Sequence, residues 1–370
     1  MTITLKVGSV NYEGWKTANV SRGIGYVASD FDLTVTEKWA DQFEIFPIKT
    51  GQSVSVLVNG HQVMTGHVDD VAPQYNSESH NLSIKGRSKT ADLVDCSVTN
   101  LSAIKGQTIS QVAKTLASPF GLSVTANTNS ERSFDEDIQQ DETPSEVLIE
   151  LAKMEGFLIY DSADGGLIIS RSGTKKSRSK LFNGPEGSNV LSGGSLESMR
   201  DRYSEYTVKG QNKGTDTSFG TSASEPSATV YDRGVPRYRP LVITADKAAD
   251  TSYCKARAEW ERSVRIGQSI ELNYTVQGWN DDAGDLWKMN ILIPVQDSFA
   301  RIDGTPVNGV FLITEVNYGI SESGETTDLK LTLPSAYDPE PQITNNDQTD
   351  GFIERVKSAG VLAQQLRQTP

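Results

Sequence analysis

Apolar and polar positions alternate along the first stretch of the chain. "TITLKV" has the two-residue period of a half-buried strand, and "FDLTVTEKW" from Phe31 repeats it. In "SVSVLVNGHQVMTGHV", from Ser53, two β-rich runs flank Asn59-Gly60, a dipeptide that supplies both positive-φ residues of a type I′ hairpin turn. "NLSIKG" from Asn81 adds another strand. Short strands joined by Gly and Asn turns predict a small barrel or sandwich over residues 1–90.

The period changes near Lys89. "GQTISQVAKTLASPFGL" sets Ile109, Val112, Ala113, Leu116 and Ala117 on one helical face, and Pro119 is expected to stop the helix. In "ETPSEVLIELAKMEGFLIY", Thr143 fits an N-cap, Pro144 the first helical position and Glu146 the far side of a capping box. Val147, Leu148, Leu151 and Ala152 form its buried stripe, and Gly156 suits a left-handed end. "FLIYDSADGGLIISR" reads as a hairpin turning at Asp164-Gly165-Gly166. Residues 91–190 therefore predict an α+β module.

Strand patterns return in 191–335, in "DRYSEYTVKGQ", "SIELNYTVQGW", "NILIPV", "GVFLITEVNYGI" and "TTDLKLTLP". A polar Gly/Ser-rich loop and a helix at 246–266, carrying Tyr253, Ala256 and Trp260, interrupt them. Pro334 is expected to end the fold. Residues 336–370 read as a polar linker and a short amphipathic helix with Phe352, Val356 and Ala359 on one face, which needs a partner to be stable. The fold class expected is α+β, mainly β.

Composition narrows the function. A chain of 370 residues suits two to four domains at roughly 100–200 residues each. Its 36% hydrophobic content excludes global disorder. A net charge of −13 disfavours gripping phosphate backbones or anionic membranes, and suits a surface that nucleic acid slides past. No apolar run approaches the ~18 residues of a membrane span, so no membrane anchor is expected. "MTITLKVGSV" lacks the pattern of a signal peptide, so synthesis and folding in a cytoplasm are expected.

The search for chemistry finds little. The two cysteines, Cys96 and Cys254, form no metal or redox motif, and Cys96 is expected to be a buried structural thiol. The three histidines, His61, His67 and His80, fall short of a zinc site. Glu142 and Glu146 belong to a helix start. Asp281, Asp282 and Asp285 read as a turn, with calcium binding as the competing reading. Trp260 reads as core, whereas Trp279 and Trp287 fit either core or a sugar platform. The basic run "RSGTKKSRSK" (Arg171–Lys180) reads as a solvated connector. In "GRSKTADLVDC", Arg87, Lys89, Asp92 and Asp95 read as an ion-pair and capping cluster fixing a domain border. No catalytic residue, cofactor or metal is expected, and so no enzyme.

Three strings, "GRSKTADLVDCS", "RDRYSEYTVKGQ" and "RYRPLVITAD", resemble the baseplate hub (tail) proteins of Mu-like contractile-tailed phages. "ETPSEVLIELAKMEGFLIYDSADGG" is also similar to hub-like parts of type VI secretion spike proteins. The resemblance implies two tail-tube-like β-barrel domains, 1–90 and 191–335, separated by the α+β insertion. It implies a homotrimeric ring in the virion that adapts a trimeric central spike to a hexameric tail tube, contacts other baseplate proteins and lets DNA pass without specific binding. It supplies no catalytic residues. A type VI or tailocin spike-hub shares the fold, and a tail-associated cell-wall hydrolase is the rival from another class. Arg200, Arg202, Tyr203, Glu205, Arg237 and Arg239 fit either subunit or inter-domain contacts or intradomain ion pairs. Phe352 and Val356 are expected to dock a partner.

Overall fold

The computed structural model describes residues 2–36, 47–76, 80–127, 132–139, 141–173, 175–211 and 226–341. Its first module holds β1 (Ile3–Val7), β2 (Val10–Tyr12), β3 (Thr17–Gly23), β4 (Asp30–Thr36), β5 (Ser53–Val58), β6 (His61–Tyr75) and β7 (His80–Ser88). They pair antiparallel in the order β3-β4-β7-β6-β5-β1-β2. The turn joining β5 to β6 has φ of 51° at Asn59 and 77° at Gly60, as that dipeptide requires. Alternate residues such as Val54, Val56 and Val58 point into the core.

The insertion follows as α1 (Asp92–Asp95), β8 (Ala103–Gln107), α2 (Ile109–Ala117), β9 (Val124–Asn127), β10 (Phe134–Asp137), α3 (Pro144–Glu155), β11 (Leu158–Asp161) and β12 (Leu167–Ser170). The stripes of α2 and α3 meet over Ile159 and Ile169 in a separate core. Thr143 Oγ1 accepts from the Glu146 amide at 3.2 Å, and Glu146 accepts from the Thr143 amide at 2.9 Å, so the capping box forms. Pro119 falls in a 3-10 turn that directly follows α2.

The second module contains β13 (Lys175–Lys176), β14 (Leu181–Gly184), β15 (Gly187–Ser188) and β16 (Ser192–Glu197). After these comes a small sheet of β17 (Glu205–Gln211), β18 (Ser227–Tyr231) and β19 (Pro240–Ala248), covered by α4 (Thr251–Gln268). The module closes with β20 (Ile270–Gln277), β21 (Ile291–Ile302), β22 (Thr305–Ser321) and β23 (Gly324–Thr332). The helix expected at 246–266 thus starts later. Residues up to Ala248 extend a strand, and Asp250 caps the helix by accepting from the Tyr253 amide at 2.7 Å.

Pro334 does not end the fold. It opens a 3-10 turn, Pro334–Tyr337, that packs on α4. Trp260 Nε1 then donates to the Asp338 carbonyl at 2.8 Å, and Arg257 pairs with Glu340. Gly156 (φ 65°) lies so close to this segment that a Cβ there would stand 2.1 Å from Pro339 Cα.

The two β modules repeat one plan. β6 and β22 are both long strands entered through a turn with two positive φ values, the second at Asp303 (52°) and Gly304 (75°). Each carries one unpaired residue against the following strand. The pairs Val68↔Gly86 and Asp70↔Lys85 skip Asp69, and Ile313↔Leu331 and Glu315↔Lys330 skip Thr314. With Asp69 set on Thr314, the neighbours coincide: β7 with β23, β4 with β20, and β3 with β16. The registers place Thr17 of β3 on Ser192 of β16. One difference stands out. Residues 24–29 connect β3 to β4, whereas the connection from β16 to β20 carries the whole small sheet and α4. The modules form one 15-stranded sheet and share one core, because Glu315–Ile320 of β22 pair with Ala18–Gly23 of β3.

Candidate functional site

The functional candidates are the joints between modules and the strand edges. Three parts of the chain meet at a small apolar node of Ile24, Leu158, Tyr160 and Leu312. Beside it the Asp161 side chain is fully buried. Ser29 Oγ donates to Asp161 Oδ1 at 2.6 Å, and Arg22 Nη2 donates to the Asp161 carbonyl at 2.9 Å. Burial pushes the Asp161 carboxyl up from its ordinary value, against the pull of Arg22 and Ser29. Asn290, at φ 59°, donates to the Arg171 carbonyl at 3.1 Å and accepts from the Gly173 amide at 2.8 Å, pinning the exit of the insertion to β21. Sequence reasoning missed this node: 139 residues separate Arg22 from Asp161.

The expected junction cluster is partly assembled. Arg87 Nη2 meets Asp95 Oδ2 at 2.7 Å and Nη1 meets Oδ1 at 3.1 Å, while Nε donates to Asp69 at 2.7 Å. These bonds hold Asp95 below its ordinary carboxylate value. Asp69 was not foreseen; its place as the unpaired residue of β6 aims it at Arg87, and alternation alone does not signal that. Lys89 lies toward Asp164 of the β11–β12 turn. Asp92 is exposed and makes no ion pair among the described residues. Cys96 is exposed, not buried: the chain turns extended after α1, and Leu93 and Val98 take the core positions instead. Trp279 and Trp287 are core, at 0% and 4% exposure. The Asp281 carboxylate accepts from the Ala283 and Asp285 amides, which makes the acidic stretch a turn. Among the described residues no group of three or more His, Cys, Asp or Glu is placed to hold a metal.

The Arg- and Tyr-rich stretches form a knot at the base of the small sheet. Arg202 is buried and makes a two-pronged pair with Asp232 at 3.0 and 3.1 Å, with Glu197 of β16 at 3.4 Å from a third nitrogen. Arg239 donates to the Arg200 and Arg202 carbonyls and lies over the Tyr203 ring, which Arg265 also approaches. Arg202, Tyr203 and Arg239 are thus joined within the chain. The side chains of Arg200 and Arg237 are exposed and Glu205 is half-buried. Phe352 and Val356 lie outside the described residues.

Fused curled sheets of this kind are shared with phage tail proteins. The chain is similar to a 43 kDa tail protein of prophage MuSo2 from Shewanella oneidensis, at 34% identity and a TM-score of 0.79 over 92% of this chain and 100% of that one. A tail protein from Neisseria meningitidis MC58 shares the fold at 22% identity and a TM-score of 0.76, over 92% and 98% of the two chains. Four family descriptions match in order: Mu phage baseplate assembly protein GpP-like, N-terminal (residues 2–88); baseplate hub protein gp44-like, second domain (90–171); tail protein NMB1110-like, third domain (202–260); and Mu phage baseplate assembly protein GpP, fourth domain (250–340). The chain is 30% identical to baseplate hub protein gp44 of Escherichia phage Mu, over 82% of this chain and 81% of that protein. It belongs to the Mu-type baseplate hub protein family, and as a phage baseplate protein its place is the virion tail.

Proposed function

We propose that three copies of this hub protein close into a ring that joins a hexameric tail tube to a trimeric central spike. One observation carries this reading: a single chain holds the same β plan twice, so three chains present six similar modules. A threefold partner then meets whole chains, while a sixfold partner meets modules. Closed cyclic symmetry also satisfies strand edges that would otherwise template open-ended association. The role is mechanical, without a catalytic residue. Tail tube, spike and other baseplate proteins are its partners, and DNA passes through without specific contacts. The chain is made in the host cytoplasm, and the segment carrying Phe352 and Val356 docks on the spike or a neighbouring hub.

Light scattering over a concentration series tests the ring. A stable species near three times the 40.3 kDa chain mass is expected. A dimer, or open-ended growth with concentration, would overturn it.

A further inference from the structure

The small sheet β17–β19 and α4 form a unit apart from the barrels, with a core of its own around Tyr206, Val208, Ala249, Cys254 and Ala258. The chain enters this unit after β16, through residues 198–204, and leaves it at Ser269. Entry and exit lie side by side, because the Ser198 amide donates to the Ser269 carbonyl at 2.8 Å. Arg265 Nη1 donates to the Asp201 carbonyl at 3.2 Å at the same end. Two adjacent crossings at one end make a hinge unless a further contact holds the unit.

Residues 334–341 supply that contact. After β23 they run as a strap between α4 and the insertion. Near the hinge, the Ala336 backbone approaches α4 so closely that a Cβ on Gly267 would stand 2.4 Å from its nitrogen, a closeness that only glycine allows. Farther along the helix, Trp260 Nε1 donates to the Asp338 carbonyl at 2.8 Å and Arg257 pairs with Glu340. Arg257 lies roughly 18 Å along the helix axis from Ser269, at about 1.5 Å per residue, so these bonds resist a swing with a long lever arm. On its other side the strap meets the insertion. Tyr337 packs on the node that holds Leu158 and Tyr160, Pro339 lies against Gly156, and Ser172 Oγ donates to the Tyr337 carbonyl at 3.5 Å.

The strap's chemistry is that of a releasable contact. It belongs to no strand or α-helix, and side-chain bonds to its backbone and one part-exposed ion pair hold it, so it opens at lower cost than a packed core. Pro334, Pro339 and Pro341 fix φ at three positions, so it moves as a stiff piece and docks with little loss of backbone entropy. We infer that residues 334–341 are a latch: docked, they clamp the small-sheet unit to the insertion; lifted, they let it swing about residues 198–204 and Ser269. The barrels keep their fold in both states, because their shared core contains no residue of the small-sheet unit. The unit thus takes two positions on an unchanged β frame, whether or not the chains form a ring.

Double electron-electron resonance on the full chain tests the latch. In a Cys96→Ser background, with the buried Cys254 left in place, spin labels at Glu150→Cys on α3 and Lys255→Cys on α4 read the separation across the strap. Labels at Lys255→Cys and Ser227→Cys read a distance within the small-sheet unit. Dilution with unlabelled chain restricts the signal to pairs within one chain. Trp260→Phe with Glu340→Ala lifts the strap, because it removes the hydrogen bond and the ion pair but keeps an aromatic ring. The distance across the strap is expected to be single and narrow in the parent, and to broaden with a longer component in the variant, while the distance within the unit stays narrow. A broad distance across the strap in the parent, or an unchanged one in the variant, would overturn the latch. Broadening of both distances would also overturn it, because the unit would then unfold rather than swing.

Discussion

The two β modules share strand order, turn geometry and the position of an unpaired residue, yet they use these features differently. In the second, the edge of β22 beyond Thr314 is covered by β3, and Val316 and Tyr318 are core residues. In the first, the matching edge beyond Asp69 has no strand partner among the described residues, and its residues are mostly exposed. The second module also carries an extra sheet and helix where the first has a short loop. The same plan thus appears twice, and the loops and edges differ in which copy closes within the chain.

Five substitutions sharpen or break that comparison. The largest effect is expected at the anchor of the extra sheet. Arg202→Ala leaves Asp232 buried without its cation, and urea unfolding should show a loss of about 3–5 kcal/mol. Next comes the matched pair Val316 and Val71. Val316→Ala opens a cavity in the shared core and should cost the single chain about 1–3 kcal/mol. Val71→Ala should cost it under about 1 kcal/mol while lowering the trimer fraction in light scattering. Equal losses of chain stability would contradict the difference between the closed and open edges.

The two junction carboxyls should titrate in opposite senses. Asp161 has a raised value in the folded chain, so its contribution is most favourable below the ordinary carboxylate value near 3.9 and declines as pH rises through the folded one. Wild type should therefore lose stability relative to Asp161→Asn as pH rises above the ordinary carboxylate value, in parallel unfolding curves. Asp95 has a lowered value, so its contribution is present above the ordinary value and disappears as pH falls through the folded one. Its pair with Arg87 is half-exposed. Asp95→Asn should cost only about 0.5 kcal/mol, less still in high salt.

Local chemistry made parts of this fold legible in the sequence. Asn59-Gly60, the Thr143–Glu146 box and Gly156 each act within a few residues, and each formed as expected. Long-range consequences were not legible. Cys96 sits next to a buried turn of helix, but the extended backbone after α1 turns it outward. Residues 335–341 look like the start of a linker, yet Trp260 and Arg257 on α4 hold Asp338 and Glu340. The β repeat was hidden because the matching strands keep pattern and register but few identities: "DDVAPQY" in β6 corresponds to "TEVNYGI" in β22. The Arg- and Tyr-rich strings signalled a dense polar contact, and only the fold shows that Arg202 closes on Asp232 of the same chain.

Averaged electron-microscopy projections of the purified assembly, viewed down its axis, test the central claim most directly. The account predicts a closed ring with six lobes of nearly equal size around a central hole, alternating in their outer decoration with threefold symmetry. A ring of three undivided lobes, a twofold particle or an open filament would contradict it.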